Sequence, residues 1–360
     1  MLRDFSPTEP LASAFRDRVN DEILGFLKSQ EPLMEAVGTS QLLTVGREYA
    51  GGGKRLRPAF CVWAYDAAGG DPAHQDALLK AASSLDVLHI SALVHDDLID
   101  DADTRRGEPS AHRQYEALHA ERGGRGSQHM FGASAAILLG DMLLMWSAEM
   151  FDTCAHPNID LARNDLSRMR MEVTAGQFLD ISAAFDVADS DDALQVARTV
   201  LEYKSASYSM RRPALIGAKL ANCDDDVYEA LASFGSHIGA AFQLRDDILG
   251  IWGDADVTGK PQGGDLIEGK ATVLVLTALD SADDQQAAEL REVLGNKDAD
   301  EAAIVRAAQL IEATGARDAV ETLIDEHLEQ GLAALDQATL TDSGRTALTR
   351  LAELSVRRAF

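Results

Sequence analysis

Two runs of carboxylates hold most of the chemistry open to this chain: DDLIDDAD over Asp96–Asp103 and RDDILGIWGD over Arg245–Asp254, each closing a long apolar stretch. On a helix, Asp96 and Asp100 fall four residues apart on one face with Asp97 beside them, a like-charge arrangement costing roughly 0.2–0.5 kcal/mol per pair. A bound cation reverses that sign. Clusters made of carboxylates alone suit a hard, oxygen-seeking ion, and Mg²⁺ leaves coordination positions open for the oxygens of a substrate phosphate. A solvated helix end is the plain alternative for one acidic run; two in one chain favour metal.

Cations stand where a diphosphate would need them. GGGKRLRP places Lys54 and Arg57 three apart at a helix start, and DADTRRG puts Arg105 and Arg106 just past the first acidic run. Such groups are the donors that phosphate oxygens take, although a helix–helix turn with snorkelling side chains would account for the first motif alone. The net charge of −26 argues against a nucleic-acid surface or attachment to an anionic membrane, since both need a basic patch. An anionic substrate must therefore rely on these local cations together with metal. Cys61, Cys154 and Cys223 are odd in number and lack CxxC spacing, so neither a disulfide framework nor a zinc site is expected and a reducing cytoplasm fits. The N-terminus, MLRDFSPTEP, lacks the apolar core of a signal peptide. The longest apolar stretch, 133–151, is interrupted by Gly140-Asp141 and Glu149 and reads as a buried helix rather than a membrane span, so no stable membrane insertion is expected.

The elements that must position these groups read as all-α. Aromatics are 6%, period-two alternation is scarce, and apolar residues recur at i, i+3, i+4 spacing. Helices are expected at 9–36, 39–50, 55–69, 73–101, 129–155, 160–185, 189–221 with a break near 206, 224–253, 267–281, 285–295, 299–313, 315–335 and 341–357. No linker rich in Pro, Gly or Ser appears, so residues 1–360 read as a single domain, with an N-terminal helical segment over 1–40 and an inserted loop over 113–128. The acidic clusters close the helices 73–101 and 224–253. If those helices face each other, both clusters roof one cavity above an apolar tube.

At these motifs the chain resembles the trans-isoprenyl diphosphate synthases, also called polyprenyl synthetases. DDLIDDADTRRG follows their first aspartate-rich motif, GGGKRLRP their isopentenyl diphosphate loop, and FQLRDDILGIWGDADVTGKP their second motif; the likeness runs from about Leu42 to Thr272. The resemblance implies a bundle of about ten to thirteen helices around a central elongated cavity, a homodimer, no organic cofactor and Mg²⁺, three ions per site. It implies that Asp96, Asp97 and Asp100 bind metal on one side of an allylic diphosphate and Asp246 and Asp247 on the other. Arg105, Lys204, Ser205, Gln243 and Lys260 would serve the allylic diphosphate, and Lys54, Arg57, His89 and Arg106 the isopentenyl diphosphate. Gln177 and Asp180 of GQFLD would lie near the ligands or serve structural hydrogen bonding. Two departures stand out: Gly250 replaces the last Asp of the second motif, and 123–128 belongs to an unusually long insertion. Arg357-Arg358 resemble basic tails that cover the site, although a favourable helix-end charge explains them more simply.

The implied reaction is head-to-tail (1'-4) condensation of isopentenyl diphosphate with an allylic diphosphate. Product length would follow the depth of the tube under Asp96. Ser91 and Ala92, five and four residues before the motif, are small, so the floor falls to Leu88 and then Leu85, each helical turn descending about 5.4 Å. Geranylgeranyl diphosphate is the expected main product, with a longer-chain synthase for quinone side chains or a farnesyl diphosphate synthase as alternatives. A terpene cyclase has no use for Lys54, Arg57 and Arg106, and a silent partner subunit would be expected to have lost one acidic cluster.

Overall fold

The structure, a computed structural model, describes residues 2, 4–186, 192–253 and 263–357. The chain begins with α1 (Ser13–Ser29), α2 (Glu31–Val37), α3 (Ser40–Ala50) and α4 (Leu56–Ala67). The long helices α5 (Gln75–Ile99), α7 (Gln128–Asp152), α8 (Ile159–Asp186) and α11 (Asp225–Trp252) follow, with α6 (Ala111–Glu121) between the first two. The C-terminal part comprises α12 (Gly264–Ile267), α13 (Val273–Ser281), α14 (Asp284–Val293), α15 (Glu301–Ala313), α16 (Ala316–Ala334) and α17 (Asp342–Val356). Buried apolar side chains form one contiguous cluster from Leu2 to Val356. The helices α5 and α11, which carry the two acidic motifs, are buried on most of their faces, as helices apolar nearly all round must be.

Several expectations need correction. The helix expected over 9–36 breaks at Gln30, where Pro32 opens a second helix in the first turn, a position that spares its missing N–H. The loop expected over 113–128 is helical as far as Glu121: Ala111 and Tyr115 are buried four residues apart and Leu118 packs beside them, which is the helical period. Strands were not expected, yet Thr104–Arg105 pairs with Glu108–Pro109 in a tight hairpin. Its two central residues, Arg106 (φ 54°) and Gly107 (φ 82°), are both left-handed, as a type I′ turn demands. The expected buried helix α7 is buried on one face only. Leu139, Leu143, Trp146 and Met150 point inward while Met130, Ile137, Leu138 and Met145 are exposed. Pro72–Ile99 and Gln128–Asp152 are both long and apolar enough to cross a membrane, a test that core helices also pass; the first is 72% buried and the second 39%.

No break occurs near 206. Instead α9 (Ala193–Val200) runs through an eleven-residue π turn, Leu201–Arg211, into α10 (Arg212–Leu220). A π turn is uncommon and usually marks a functional position. Glycines on the facing helices accommodate this one: a Cβ on Gly176 of α8 would lie 2.4 Å from the backbone nitrogen of Lys204, one on Gly235 of α11 2.5 Å from the Arg211 Cα, and one on Gly239 2.7 Å from Ala206.

Candidate active site

The end of α5 presents Asp96 and Asp100 half-buried and Asp97 fully buried. Asp96 accepts from Gln177 Nε2 of α8 at 2.9 Å and lies 3.6 Å from Lys204 Nζ, which also donates to Asp180 at 2.5 Å. Gln177 and Asp180 are thus joined to the first aspartate motif, Gln177 directly and Asp180 through Lys204. Burial alone would lower the Lys204 ammonium, but Asp96 and Asp180 outweigh it and raise it, so it stays charged. Burial, with Asp96 close by, raises the Asp100 carboxyl. The lesser of these two causes, Asp96, is the like-charge cost expected from the motif's spacing.

Asp97, expected as a metal ligand, is engaged by neighbouring side chains. Both of its oxygens are taken: Oδ2 accepts from the Tyr49 hydroxyl at 2.8 Å, and Oδ1 accepts from Arg105 Nε at 2.7 Å and from Arg105 Nη2. The Tyr49 oxygen in turn accepts from Ala111 N at 2.7 Å, so one phenol joins the end of α3, the aspartate motif and the start of α6. Arg105 is thus held beside Asp97, with Asp96 4.0 Å away.

On the facing wall, Asp246 is half-buried and Asp247 buried at the end of α11. Burial, opposed by the hydrogen bond from Gln243 Nε2 (2.9 Å) and helped by Asp265 and Asp246, pushes Asp247 up to about 8. Lys270 joins the walls, with Nζ 3.9 Å from Asp100, 3.7 Å from Asp265 and 2.6 Å from Glu268. Asp265 packs so closely on Gly250 that a Cβ there would lie 2.0 Å from its Oδ2. The carboxylate missing at 250 is therefore replaced in space by one from α12. Among the described residues no three carboxylates, imidazoles or thiolates already converge on one point. The set of Asp96, Asp100, Asp246 and Asp247 nevertheless has the all-oxygen chemistry that a hard divalent ion takes.

The second cluster of cations lies along α4 and the hairpin. Lys54 is exposed in the glycine loop. Arg55, at φ 55°, turns inward and is pinned by Asp86 (2.7 Å), Asn20 (2.8 Å) and the Ala50 carbonyl (2.5 Å), fixing the loop's exit into α4. Arg106 donates to the Gly51 carbonyl at 3.1 Å, bringing the hairpin against that loop. Arg57 stacks on the Tyr208 ring at 4.0 Å and donates to Ser209 at 2.8 Å, and Tyr208 OH lies 2.5 Å from His89 Nδ1. Burial, and after it Arg57, Arg106, Arg105 and Arg55, hold His89 well below the ordinary histidine range, so it is neutral. Ser205 sits half-buried next to Lys204 in the π turn.

Farther down α5, Leu85 and Leu88 are buried, Ala92 is half-buried, and Ser91 donates to the Gly140 carbonyl of α7 at 2.7 Å. Ser91 therefore faces α7. Lys260, Asp254 and Arg358 lie outside the described residues, and Arg357 is exposed at the end of α17. The sequence reading missed Lys270, Asp265, Tyr49 and Tyr208. Only the run GGDLIEGK, an acid and a lysine five apart in a turn-rich segment, offered a signal, for the first two.

Residues 40–311 match the polyprenyl synthetase family. The chain is 33% identical over 309 residues to the (2E,6E)-farnesyl diphosphate synthase of Mycobacterium tuberculosis, covering 85% of this chain and 80% of that protein. It is 31% identical to the geranylfarnesyl diphosphate synthase of Natronomonas pharaonis, covering 96% of each. The geranylgeranyl pyrophosphate synthase of Corynebacterium glutamicum, crystallised with isoprenyl diphosphate and magnesium, superposes with a TM-score of 0.91 at 36% identity, covering 96% of this chain and 99% of that one. With facing carboxylate walls, flanking cations and this likeness over most of its length, the chain belongs to the polyprenyl synthetase family and is a prenyltransferase that elongates isoprenyl chains head to tail.

Proposed function

We propose that the chain is a Mg²⁺-dependent geranylgeranyl diphosphate synthase, condensing isopentenyl diphosphate 1'-4 with allylic diphosphates. The observation that carries this reading is Lys270, whose ammonium lies within ion-pair reach of Asp100 on the first wall and of Asp265, packed on the second. The two aspartate motifs therefore face one space. Asp96, Asp100, Asp246 and Asp247 would hold the metal, which when bound neutralises charge building on the departing diphosphate. Lys204, Lys270 and Arg105 add positive charge on the allylic side, with Lys260 as an expected further donor. Lys54, Arg57, Arg106 and the neutral His89 bind isopentenyl diphosphate. Asp97 holds Arg105 instead of metal. No side-chain base is assigned, because the released diphosphate can take the proton.

The twenty-carbon product is supported by the small residues at 91 and 92 above two fully packed leucines, Leu88 and Leu85. A homodimer is supported by the uncovered apolar residues of α7 together with Leu161, Met171 and Phe178 of α8. The test is incubation with labelled isopentenyl diphosphate and each of the five-, ten- and fifteen-carbon allylic diphosphates, resolving products by length. Twenty-carbon product that vanishes with excess chelator is expected; elongation unaffected by chelator would refute the metal assignment. Phe in place of Ser91 should shorten the product, but it also breaks the bond to Gly140. Leu88→Ala is the gentler probe and should lengthen the product. An unchanged product distribution for both variants would overturn the floor assignment.

A further inference from the structure

We propose that Tyr208 is a positioning residue: its hydroxyl fixes His89 in the tautomer whose Nε2–H can donate to the isopentenyl diphosphate, while its ring seats Arg57. The proposal rests on the synthase reading given above and adds a residue to it. Tyr208 is 6% exposed on the π turn, and its oxygen lies 2.5 Å from His89 Nδ1. Two neutral groups in that contact allow two arrangements. If the phenol donates, Nδ1 accepts and Nε2 carries the proton; if Nδ1–H donates, Nε2 presents a lone pair. Only the first suits an anionic ligand. Burial raises the Tyr208 phenol far enough that it keeps its proton, and His89 is held neutral by burial and by the four arginines around it, so the donor at this point is an uncharged imidazole.

The same side chain governs a second cation. The Arg57 guanidinium lies 4.0 Å over the Tyr208 ring and donates through Nη2 to Ser209, one residue on, while its buried Nε has no hydrogen-bond partner among the described residues. A buried donor left unpaired is costly unless a ligand answers it. Lys204 stands on the same π turn, paired with Asp180 and near Asp96. The turn thus carries groups for both substrates, and the glycine-lined grooves that fit its width fix their relative register.

The experiment uses the full chain with Tyr208→Phe, which keeps the ring under Arg57 and removes the hydroxyl. Long-range ¹H–¹⁵N correlation of the imidazoles, with His89 assigned through His89→Gln, should show a single Nε2–H tautomer in the parent protein and a mixture in the variant. The KM for isopentenyl diphosphate should rise roughly tenfold, the factor that losing an oriented hydrogen bond to a charged group brings, with the KM for the allylic substrate unchanged. Combining Tyr208→Phe with His89→Gln should add nothing to the KM effect of His89→Gln alone. An Nδ1–H tautomer in a parent protein that elongates prenyl chains overturns the proposal, as does a variant in which both KM values rise together. A parent protein with the Nε2–H tautomer and no prenyl transfer refutes the synthase reading instead. Should Tyr208→Phe not fold, the parent tautomer and the single variant His89→Gln, expected to raise only the isopentenyl KM, still decide the matter.

Discussion

Removing one oxygen atom, in Tyr49→Phe, should loosen the whole first aspartate wall. The Tyr49 hydroxyl donates to Asp97 at 2.8 Å and accepts from Ala111 N at 2.7 Å, and Asp97 is fully buried. Phe fills the same ring volume, so packing is unchanged and the loss is polar. A hydrogen bond to a charged group contributes about 1.5–3 kcal/mol, and a buried N–H left without an acceptor costs about 1–3 kcal/mol. Taking the lower part of each range, because burial here is close but the start of α6 can shift, gives about 3 kcal/mol. With an unfolding entropy near 2.1 cal/mol/K per residue over 360 residues, that corresponds to a Tm about 4 °C lower. Asp97→Asn removes the charge that Tyr49 and Arg105 share, so Tyr49→Phe should cost at least 1 kcal/mol less in that background, a coupling a double-mutant cycle resolves. Calorimetry of the four proteins makes the check. A Tyr49→Phe midpoint within about 1 °C of the parent, or additive single effects, would show that the phenol does not anchor the motif.

Two further outcomes follow from other parts of the fold. Gly239→Ala places a methyl 2.7 Å from the Ala206 Cα and carbonyl oxygen, where backbone cannot yield as a side chain end does. The overpacking of about 1–3 kcal/mol should outweigh the roughly 1 kcal/mol gained in helix propensity, so thermal unfolding should show net destabilisation; a stabilised variant would count against the fit of the π turn. His156 is buried and its Nδ1 accepts from Asn158 N at 3.2 Å; burial, and then His74, depress it to about 4. A folded-state value below the ordinary 6.5 means its contribution is complete above pH 6.5 and is lost as pH falls toward 4. Unfolding free energy measured from pH 7.5 to 4.5 should therefore decline less steeply in His156→Gln, and parallel curves would exclude His156 as a source of the slope.

The acidic motifs were legible because they are local: residues four apart on one helix share a face whatever the rest of the chain does. The hydrophobic periods that made the chain all-α were legible for the same reason, and even α6 was written in Ala111, Tyr115 and Leu118, though the glycines at 123, 124 and 126 drew the reading toward a loop. What the sequence could not display is which oxygen of which aspartate is already taken. Asp96 and Asp97 are the same residue type side by side, yet one lies half-open beside Lys204 and the other is closed by groups 48 residues before it and 8 after it. Tyr208 was invisible, and Lys270 signalled only by the run GGDLIEGK, for a related reason: their significance lies in what α5 and α12 bring opposite them. Gly250 read as a weakness in the second motif. In three dimensions the absence of its side chain is what admits the Asp265 carboxylate.

That substitution of one carboxylate for another shows how the site tolerates so much negative charge in a chain whose net charge is −26. Acids and cations alternate across the cavity: Lys204 stands between Asp96 and Asp180, Arg105 lies against Asp97, and Lys270 stands among Asp100, Asp265 and Glu268. The arginine is the one locked by a buried carboxylate through two of its nitrogens, which its planar fork allows. The lysines carry compact charges on flexible stems and share theirs among several acids: each has one close partner, Asp180 at 2.5 Å for Lys204 and Glu268 at 2.6 Å for Lys270, and further acids at 3.6–3.9 Å. The longer contacts, to Asp96 and Asp100, can be re-formed without breaking a directed bond, which leaves those two carboxylates the more available. The division of labour between a guanidinium fixed on a buried carboxylate and ammonium groups shared among several acids follows from side-chain chemistry.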